Sequence, residues 1–477
     1  MLPHRRRVPR LDRITPLIFV GLLVVLVFAG GASAPDEVHQ VVARLAAIVA
    51  LALATLAFRR THWVKVREVL LFLLLALTVI AVQLIPLPPG LWSALPGRDV
   101  FTSGFELAGL EPVWRPLSLT PDRTLNSLLA LLPAFAATLC MAVLPPGNER
   151  MVLLVLIGAT LVAVAFGIVQ VATGRFYFYR VTNTGWAVGL FANRSHQAVL
   201  LAVAFPLLAA WASPLTEDRS ADQVRGAVAA CLAALFAAMV LATGSRAGLV
   251  WGQVGMIAGF LIFIRARQSL TRGWRGKLIF LIPIAIVLLA VVATLLSSRD
   301  VAVARLFSEN FGDQRAGLLP IYGQMAWDFF PFGSGMGSFD PVFRLYEPYE
   351  HLHPQYLNHA HNDLVQVVIE AGLLGGLLIL LFLGWFVVRA WRLWRVRGRA
   401  ERDSVVLRGR AGSAMILVML GSSAVEYPLR TPLLSFIFVV AAIWMMGASP
   451  APGAGKGQLA SKQRSDTGGA GELGLKE

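Results

Sequence analysis

The stretch that organises this chain reads His351-Leu-His-Pro-Gln-Tyr-Leu-Asn-His359-Ala-His361-Asn362-Asp363-Leu-Val-Gln366-Val-Val-Ile-Glu370-Ala-Gly372. It ends the longest polar interval of a chain that otherwise alternates apolar runs with short loops, and it leads directly into a new apolar helix. Four of the eight histidines lie in its first half. We expect the chemistry of this protein in this loop, at the mouth of the apolar helix.

The beginning of that helix carries a polar face. Asp363, Gln366 and Glu370 recur at the i, i+3 and i+7 spacing of one helical side. Polar groups on a helix that enters a membrane normally face a water-filled cavity or the bundle interior. Asn362 or Asp363 is suited to cap the helix N-terminus. His361 would lie above the polar face, where an imidazole can accept a proton near neutral pH.

The repeated His-x-His spacing leaves other interpretations open. His351, His353, His359 and His361 together could ligate zinc, although their spacing matches neither a zinc finger nor an HExxH helix. Alternatively, one histidine is functional and the others are surface residues, with His359 a rival to His361. The chain contains no GxxxxGK[ST], HExxH or CxxC motif, which disfavours an ATP-driven pump.

The composition is that of a membrane protein. The chain is 57% hydrophobic and 14% charged, against about 25% charged residues in soluble proteins. Many windows of roughly 20 residues are apolar enough to cross a bilayer, and they are continuous rather than alternating, which favours helices. The net charge of +15 reflects the distribution of basic loops rather than a nucleic-acid partner. Cys140 and Cys231 lie in apolar runs and are interpreted as core residues.

We therefore predict an all-α polytopic membrane protein with a single transmembrane domain, residues 1–448, and about twelve transmembrane helices. The predicted spans are 14–33, 41–58, 69–87, 124–144, 151–172, 196–213, 226–243, 247–264, 278–297, 364–388, 412–428 and 432–448. The polar segment 298–362 is predicted to form one large outer loop with short helices, and 449–477 a disordered tail.

Orientation follows from the basic loops. The run Arg389-Ala-Trp-Arg-Leu-Trp-Arg-Val-Arg-Gly-Arg399 is strongly basic, and short basic loops stay in the cytoplasm. Both termini are then predicted to be cytoplasmic. The segments 88–123, 173–195 and 298–362 are predicted to lie on the outer face.

Two arginines are candidates for binding an anion. Arg246 lies in a short turn between two apolar runs, where it either snorkels to the lipid headgroups or holds a phosphate. The planar guanidinium suits phosphate because it donates two parallel hydrogen bonds. Arg315, in the outer loop, is as well placed to pair with Asp313 or Asp328 as to contact a ligand.

The rest of the outer loop has two further features. Residues 314–329 are predicted to form an amphipathic helix at the membrane interface, with Trp327, Phe329 and Phe330 toward lipid. The Gly333-Ser-Gly-Met-Gly337 run predicts a loop with close backbone approach, which is only weak evidence for phosphate binding.

Three sequence islands, read together, indicate a family. They are Gly189-Leu-Phe-Ala-Asn193-Arg194-Ser-His196, Thr243-Gly-Ser245-Arg246-Ala-Gly, and Gly312-Asp-Gln-Arg315 followed by Pro331-Phe-Gly333-x-Gly335-x-Gly337 and His359-Ala-His361-Asn362-Asp363-Leu-x-Gln366-x-x-x-Glu370-x-Gly372. Over roughly residues 120–448, the chain resembles the O-antigen ligase and O-antigen polymerase family of bacterial envelope glycosyltransferases.

The resemblance implies a helical bundle of the GT-C type in the bacterial inner membrane, with its active site on the periplasmic side. The donor would be a glycan on undecaprenyl pyrophosphate. The acceptor would be lipid A–core in a ligase, or the growing glycan in a polymerase; the sequence does not separate the two. The family's ligases use no nucleotide sugar and require no metal, so we expect no cofactor. Besides these substrates, the expected partners are membrane lipids.

The resemblance also assigns roles to residues. The family's loop histidine matches His361, the candidate general base, and its two functional arginines match Arg246 and Arg315. Arg194 is a further candidate by position. The remaining predicted substrate-binding residues are His359, Asn362, Asp363, Gln366 and Glu370.

Two other functions remain open. A secondary transporter or flippase for lipid-linked glycans would suit twelve spans, but the sequence lacks a matching pair of Gly/Pro-broken helices in its two halves. The other alternative is a non-catalytic assembly or binding subunit, which would tolerate the loss of both Arg246 and Arg315.

Overall fold

The computed structural model describes residues 11–34, 37–213, 219–266, 317–349, 357–398 and 403–447, which are mostly helical. The α-helices are α1 (Leu11–Ala29), α2 (Val38–Ala57), α3 (Trp63–Val82), α4 (Pro89–Ser93), α5 (Asp99–Leu107), α6 (Pro121–Leu129), α7 (Leu132–Val143), α8 (Glu149–Thr173), α9 (Arg194–Ala212), α10 (Arg219–Ala242), α11 (Arg246–Ala266), α12 (Leu319–Asp328), α13 (Phe339–Phe343), α14 (Asp363–Arg395), α15 (Ser404–Ser423) and α16 (Pro432–Gly447). Short 3-10 helices cover Arg60–His62 and Pro428–Arg430. Strands β1 (Pro86–Leu87) and β2 (Arg115–Pro116) pair antiparallel.

Eight helical segments within the described ranges are long and apolar enough to cross a membrane. They are Val38–Ala57, Pro121–Val143, Glu149–Thr173, Arg194–Ala212, Ser220–Ala242, Arg246–Ala266, Asp363–Arg395 and Ser404–Ser423. The predicted class, an all-α polytopic membrane protein, is thereby confirmed. Helices α1 and α16 supply shorter apolar stretches, and α3 carries Lys65, Arg67 and Glu68 near its start. The count of twelve spans and the GT-C-like arrangement stay predictions.

Several predicted features fall outside the described residues. They are the apolar run 278–297, Arg315, the histidines His351 and His353, and the tail 449–477. Within the predicted outer loop 298–362, the structure describes 317–349 and 357–362.

Helix α14 differs from the continuous span predicted for 364–388. Gly372 interrupts it with φ 56° and ψ −140°, a conformation that side chains with a Cβ rarely adopt. A Cβ at this position would also lie 2.1 Å from the carbonyl oxygen of Pro331. The break separates a short half-helix, 363–371, from the membrane part, 373–395.

The glycine-rich loop 333–337 compensates for this break. Its backbone N–H groups at Ser334 and Gly335 donate to the carbonyls of Ile369 (3.0 Å) and Glu370 (2.9 Å). A helix end leaves such carbonyls without intrahelical partners, and they are costly to leave unpaired at membrane depth. The close backbone approach predicted for this loop therefore serves the end of the half-helix.

Helix α9 lies at the centre of the bundle. Within its 18-residue apolar stretch, 94% is buried inside the protein. The helix packs against α8, α10, α11 and α15. A helix that is apolar on every side is expected in such a position. Helix α11 approaches it through small residues: a Cβ at Gly255 would lie 2.2 Å from the carbonyl oxygen of Ala202. Small residues permit this close backbone contact between membrane helices.

A helix is present within the predicted range 314–329, whereas its position at the membrane interface stays a prediction. The structure forms α12 over Leu319–Asp328. Trp327 within this helix and Phe330 just after it are exposed. Phe329, however, is 2% exposed rather than directed toward lipid. Its ring enters the space left by Gly97 and contacts the guanidinium of Arg98 at 5.7 Å.

The two cysteines are both free but differ in environment. Cys140 is buried, as expected, whereas Cys231 is exposed. The core position predicted for Cys231 is wrong. Only 22% of the apolar stretch of α10 is buried inside the protein, so much of this helix is exposed.

We predict opposite effects for two Gly→Ala substitutions inside helices. At Gly158, where nothing lies within 4 Å, alanine should stabilise the protein by up to about 1 kcal/mol because it favours the helix. At Gly255, the added Cβ meets the α9 backbone, and the overpacking should cost about 1–3 kcal/mol. Thermal unfolding of both variants in one detergent checks this. A Gly255→Ala protein as stable as Gly158→Ala would contradict the close contact.

Candidate active site

Helices α9, α11 and α14 begin beside one another. They do so on the side of the bundle that carries residues 357–362, here called the histidine loop. Asn193 caps α9 by accepting a backbone hydrogen bond at 2.8 Å. Ser245, directly before α11, accepts one at 3.0 Å. Asn362 caps α14 at 3.1 Å, as the sequence predicted for this residue or its neighbour. Helix N-termini carry partial positive charge and favour nearby anions.

A line of hydrogen bonds joins these three helix starts. The hydroxyl of Ser245 donates to that of Ser195 at 3.0 Å, and Ser195 donates to Oε1 of Glu426 at 3.2 Å. The other oxygen of Glu426, Oε2, lies 3.2 Å from Nδ1 of His361. The side chains of His361 and Glu426 are only 13% and 8% exposed. His361, the predicted general base, thus contacts the buried carboxylate of Glu426, which was not among the predicted site residues.

Two predicted arginines flank the serine pair. Arg194 is adjacent to Ser195, and Arg246 is adjacent to Ser245. The guanidinium of Arg194 lies 4.6 Å from the ring of Trp186. The same ring packs on Gly244, where a Cβ would come within 2.1 Å of it. The hydrogen-bonded serines therefore place the starts of α9 and α11, which carry Arg194 and Arg246, beside one another.

The backbone holds His361 in an uncommon conformation. Its φ of 51° lies in the left-handed region that few residues other than glycine adopt. Such conformations cluster at functional sites, where surrounding contacts maintain them. Here the contacts are Glu426 and Tyr427, whose ring centroid lies 5.0 Å from that of His361.

Tyr427 forms a centre for the histidines of this region. Its ring contacts those of His196 at 5.0 Å, His359 at 4.5 Å and His361 at 5.0 Å. His196 comes from α9, and the other two precede α14. The tyrosine therefore packs the start of α9 against the histidine loop.

An ion pair fixes the half-helix 363–371. Nε of Arg430 lies 2.6 Å from Oδ1 of Asp363, and Nη2 lies 3.9 Å from Oε2 of Glu370. Burial acts to lower the pKa of Arg430, but these two carboxylates outweigh it and raise that pKa above its usual value. The guanidinium therefore stays charged, and it binds near both ends of the half-helix.

The predicted polar face of α14 is directed into the bundle. Gln366 donates to Oε1 of Glu370 at 2.9 Å and accepts from the backbone of Ala360 at 3.0 Å. Oε1 of Glu370 also accepts from the backbone N–H of Phe339 at 3.1 Å. Of the two environments expected for such a face, the structure shows the bundle interior.

His359 is in a different environment from His361. Its Nδ1 lies 3.4 Å from the side-chain amide of Gln366. Burial, with further contributions from Arg430, His361 and His196, holds the pKa of His359 well below 6.5. This ring is therefore neutral at physiological pH and is a poor proton acceptor.

The predicted site residues thus fall into two groups. His361, Arg194 and Arg246 meet around the hydrogen-bonded line, whereas Asn362, Asp363, Gln366, Glu370 and His359 make contacts within the protein. Arg315 lies outside the described residues. That any of them binds substrate stays a prediction.

The sequence interpretation missed the connection between α15 and α16. Glu426, Tyr427 and Arg430 lie between α15 and α16, although the predicted span 412–428 included the first two, and none of the three was considered as a candidate. A signal was present, because ionisable residues within apolar sequence are costly and mark functional sites. What could not be read was the identity of their partners, which lie far away along the chain.

Among the described residues, no group of three or more His, Cys, Asp or Glu side chains is arranged to hold a metal ion. His351 and His353 lie outside the described residues, so the zinc hypothesis stays untested.

Fold and site together define a polytopic membrane protein with a polar centre where several helices begin. Residues 231–380 match the family model described as O-antigen ligase. This segment runs from within α10 to within α14 and includes Arg246 and His361. Over these residues, the match confirms the resemblance to the O-antigen ligase and polymerase family that was seen in the sequence. That similarity supports a glycosyltransferase-like membrane enzyme whose substrates include a lipid-linked glycan. No curated protein matches the chain.

We predict that Arg430→Ala strongly destabilises the protein. Removing the cation leaves Asp363 and Glu370 buried without it, and breaking a buried ion pair costs about 3–5 kcal/mol. The matched control is Arg344→Ala. Its arginine also pairs with an aspartate, Asp340, but is 55% exposed, and exposed pairs contribute about 0–1 kcal/mol.

Thermal unfolding of both variants in detergent measures the difference. Asp363→Asn combined with Arg430→Ala should recover part of the loss, because it removes one uncompensated charge. Equal effects of Arg430→Ala and Arg344→Ala would contradict the role of Arg430 in fixing the half-helix.

Proposed function

We propose that this protein transfers a glycan from undecaprenyl pyrophosphate to a sugar hydroxyl, with His361 as general base and Arg246, Arg194 and Arg315 holding the pyrophosphate. The acceptor is lipid A–core if the protein is a ligase, or another lipid-linked glycan if it is a polymerase. The reaction takes place on the periplasmic side of the bacterial inner membrane, both termini are cytoplasmic, and no metal or cofactor takes part.

The observation that carries this proposal is the contact between His361 and Glu426. A histidine whose Nδ1 faces a carboxylate keeps Nε2 available as proton acceptor, and the carboxylate stabilises the imidazolium that forms. The same arrangement orients the histidine in serine hydrolases. The buried and neutral His359 lacks such a carboxylate among the contacts described above. Of the two candidates, His361 is therefore the base.

The arginines and the helix N-termini are placed to stabilise the negative charge of the leaving group. A pyrophosphate ester needs little acid assistance, but negative charge develops on it as the glycosidic bond breaks. Prearranged cations and helix N-termini stabilise such charge. Arg194 and Arg246, beside the capped starts of α9 and α11, meet that requirement. The support for Arg315 comes from the family resemblance.

The chemical step balances without a co-reactant. The acceptor hydroxyl oxygen attacks the anomeric carbon, and its proton passes to Nε2 of His361. The bond between the anomeric carbon and the phosphate oxygen breaks, and both of its electrons leave with undecaprenyl pyrophosphate. A single direct displacement inverts the configuration at the anomeric carbon.

The buried residues of the proposed site support the base rather than contact substrate. Asp363 and Glu370 bind Arg430, and Gln366 bridges the histidine loop and the half-helix. We propose that Asn362 likewise acts through its cap. Substrate contact is then left to His361 and the arginines.

The first test is complementation of a deletion strain. We expect His361→Ala to lower transfer by about 100-fold or more, because general-base catalysis contributes about 10²–10⁴-fold. His359→Gln is the matched control and should retain much more activity. Membrane abundance and thermal unfolding establish that both variants insert and fold. Full activity of His361→Ala would remove this residue from the mechanism.

The glycans of the deletion strain distinguish the two acceptors. Long lipid-linked chains that are not attached to lipid A–core indicate a ligase, whereas single repeat units indicate a polymerase. If length and attachment are both normal in the absence of the protein, the transferase proposal fails.

We further predict that Glu426→Gln lowers the transfer rate by less than His361→Ala does. The amide keeps the shape of the carboxylate but removes the charge that stabilises the imidazolium. The rate at saturating donor and acceptor should fall and its pH dependence should shift, while the KM for the donor changes little. An unchanged pH profile would mean that Glu426 serves only packing.

A further inference from the structure

We propose that residues 89–114 form a docking surface for phospholipid. This surface contacts the membrane leaflet that lies on the same side as the candidate active site. The surface consists of α4, α5 and the apolar segment 108–114, and it adjoins the exposed pair Trp327 and Phe330. This inference does not depend on the proposed reaction.

Hydrogen bonds join the end of α3 to the end of the half-helix. Gln83, the residue after α3, donates its side-chain amide to the carbonyl of Glu370 at 3.1 Å and accepts from the backbone of Met336 at 2.8 Å. Glu370 lies two residues before the break at Gly372, where the membrane part of α14 begins. The end of α3 and the beginning of the apolar part of α14 therefore lie at the same level.

Residues 89–114 are attached at that level. The strands β1 and β2, which enclose the segment in sequence, pair immediately after α3. Ser118, just past β2, packs on Gly335, where a Cβ would come within 2.1 Å of its hydroxyl. At the other side, Gly97 packs on the ring of Phe329. These contacts place the segment beside the loop that covers the end of the half-helix.

The inner side of the surface is firmly packed. Arg98 is 1% exposed, lies 5.2 Å from the ring of Trp92, and donates to the carbonyl of Leu117 at 2.5 Å. The guanidinium of Arg115 lies 3.8 Å from the ring of Phe105. The segment is therefore a built element and not a loose loop.

The outer side is apolar and exposed. Leu107 is 90% exposed, Trp114 65% and Trp327 78%. The exposed apolar residues of the segment are Leu91, Val100, Leu107, Leu110, Val113 and Trp114. Contiguous exposed apolar surface marks an interaction site, and tryptophan beside leucine is typical of elements that lie in the membrane interface.

The charges of α5 favour lipid as the occupant. Val100 and Leu107 share one helical face at i, i+7, whereas Asp99 and Glu106 share the neighbouring face. All four are exposed. In a membrane interface, the apolar face enters the acyl boundary and the acidic face meets water. The segment is attached beside the end of α3 and the beginning of the apolar part of α14, where we infer the membrane surface, and its apolar face would there meet the acyl boundary.

The test compares Leu107→Cys with Glu106→Cys, adjacent residues that lie on the two different faces. Both are introduced into the full chain with Cys140→Ala and Cys231→Ser, spin-labelled, and reconstituted into phosphatidylethanolamine–phosphatidylglycerol vesicles. Oxygen concentrates in the lipid, and a nickel chelate stays in water. We expect the label at 107 to collide more with oxygen, and the label at 106 to collide more with nickel.

A water-exposed label at 107 in vesicles would overturn the proposal. So would a label at 107 that neither reagent reaches, since this would indicate a protein partner or a second copy of the chain. Thermal unfolding establishes that the labelled proteins are folded. If Leu107→Cys does not fold, the pair Val100→Cys and Asp99→Cys, on the same two faces of α5, provides the same comparison.

Discussion

Charges at the ends of apolar helices need partners within the protein, and the arrangement of this site depends on that constraint. Uncompensated ions are costly to bury. The α15–α16 connection brings Glu426 and Arg430 into the bundle, and both obtain partners from the start of α14. The positions of the histidine loop and of the half-helix are therefore consequences of charge pairing as much as of apolar packing.

The sequence was informative where one property dominates. Long apolar runs gave the helical membrane class, and the glycine run gave a tightly packed loop. The Asn362 cap follows from local hydrogen bonding alone. The partner of His361 did not follow, because Glu426 is 65 residues away along the chain. Phe329 was placed in lipid for a similar reason: the space at Gly97 that receives its ring is a tertiary feature.

The site has two sides with different structural origins. The arginine side belongs to α9 and α11, where backbone approach through small residues sets the spacing. The histidine side belongs to α14 and the α15–α16 connection, where ion pairs and a single tyrosine ring set it. The arginines proposed to bind the glycan donor and the proposed base, His361, are therefore positioned by separate parts of the fold. The hydroxyls of Ser195 and Ser245 and the carboxylate of Glu426 connect the two parts.

The close contact of α9 with α11 has a consequence for motion. Since the two backbones are in contact at Gly255 and Gly259, we expect α9 and α11 to move together, and with them the helix starts that carry Arg194 and Arg246.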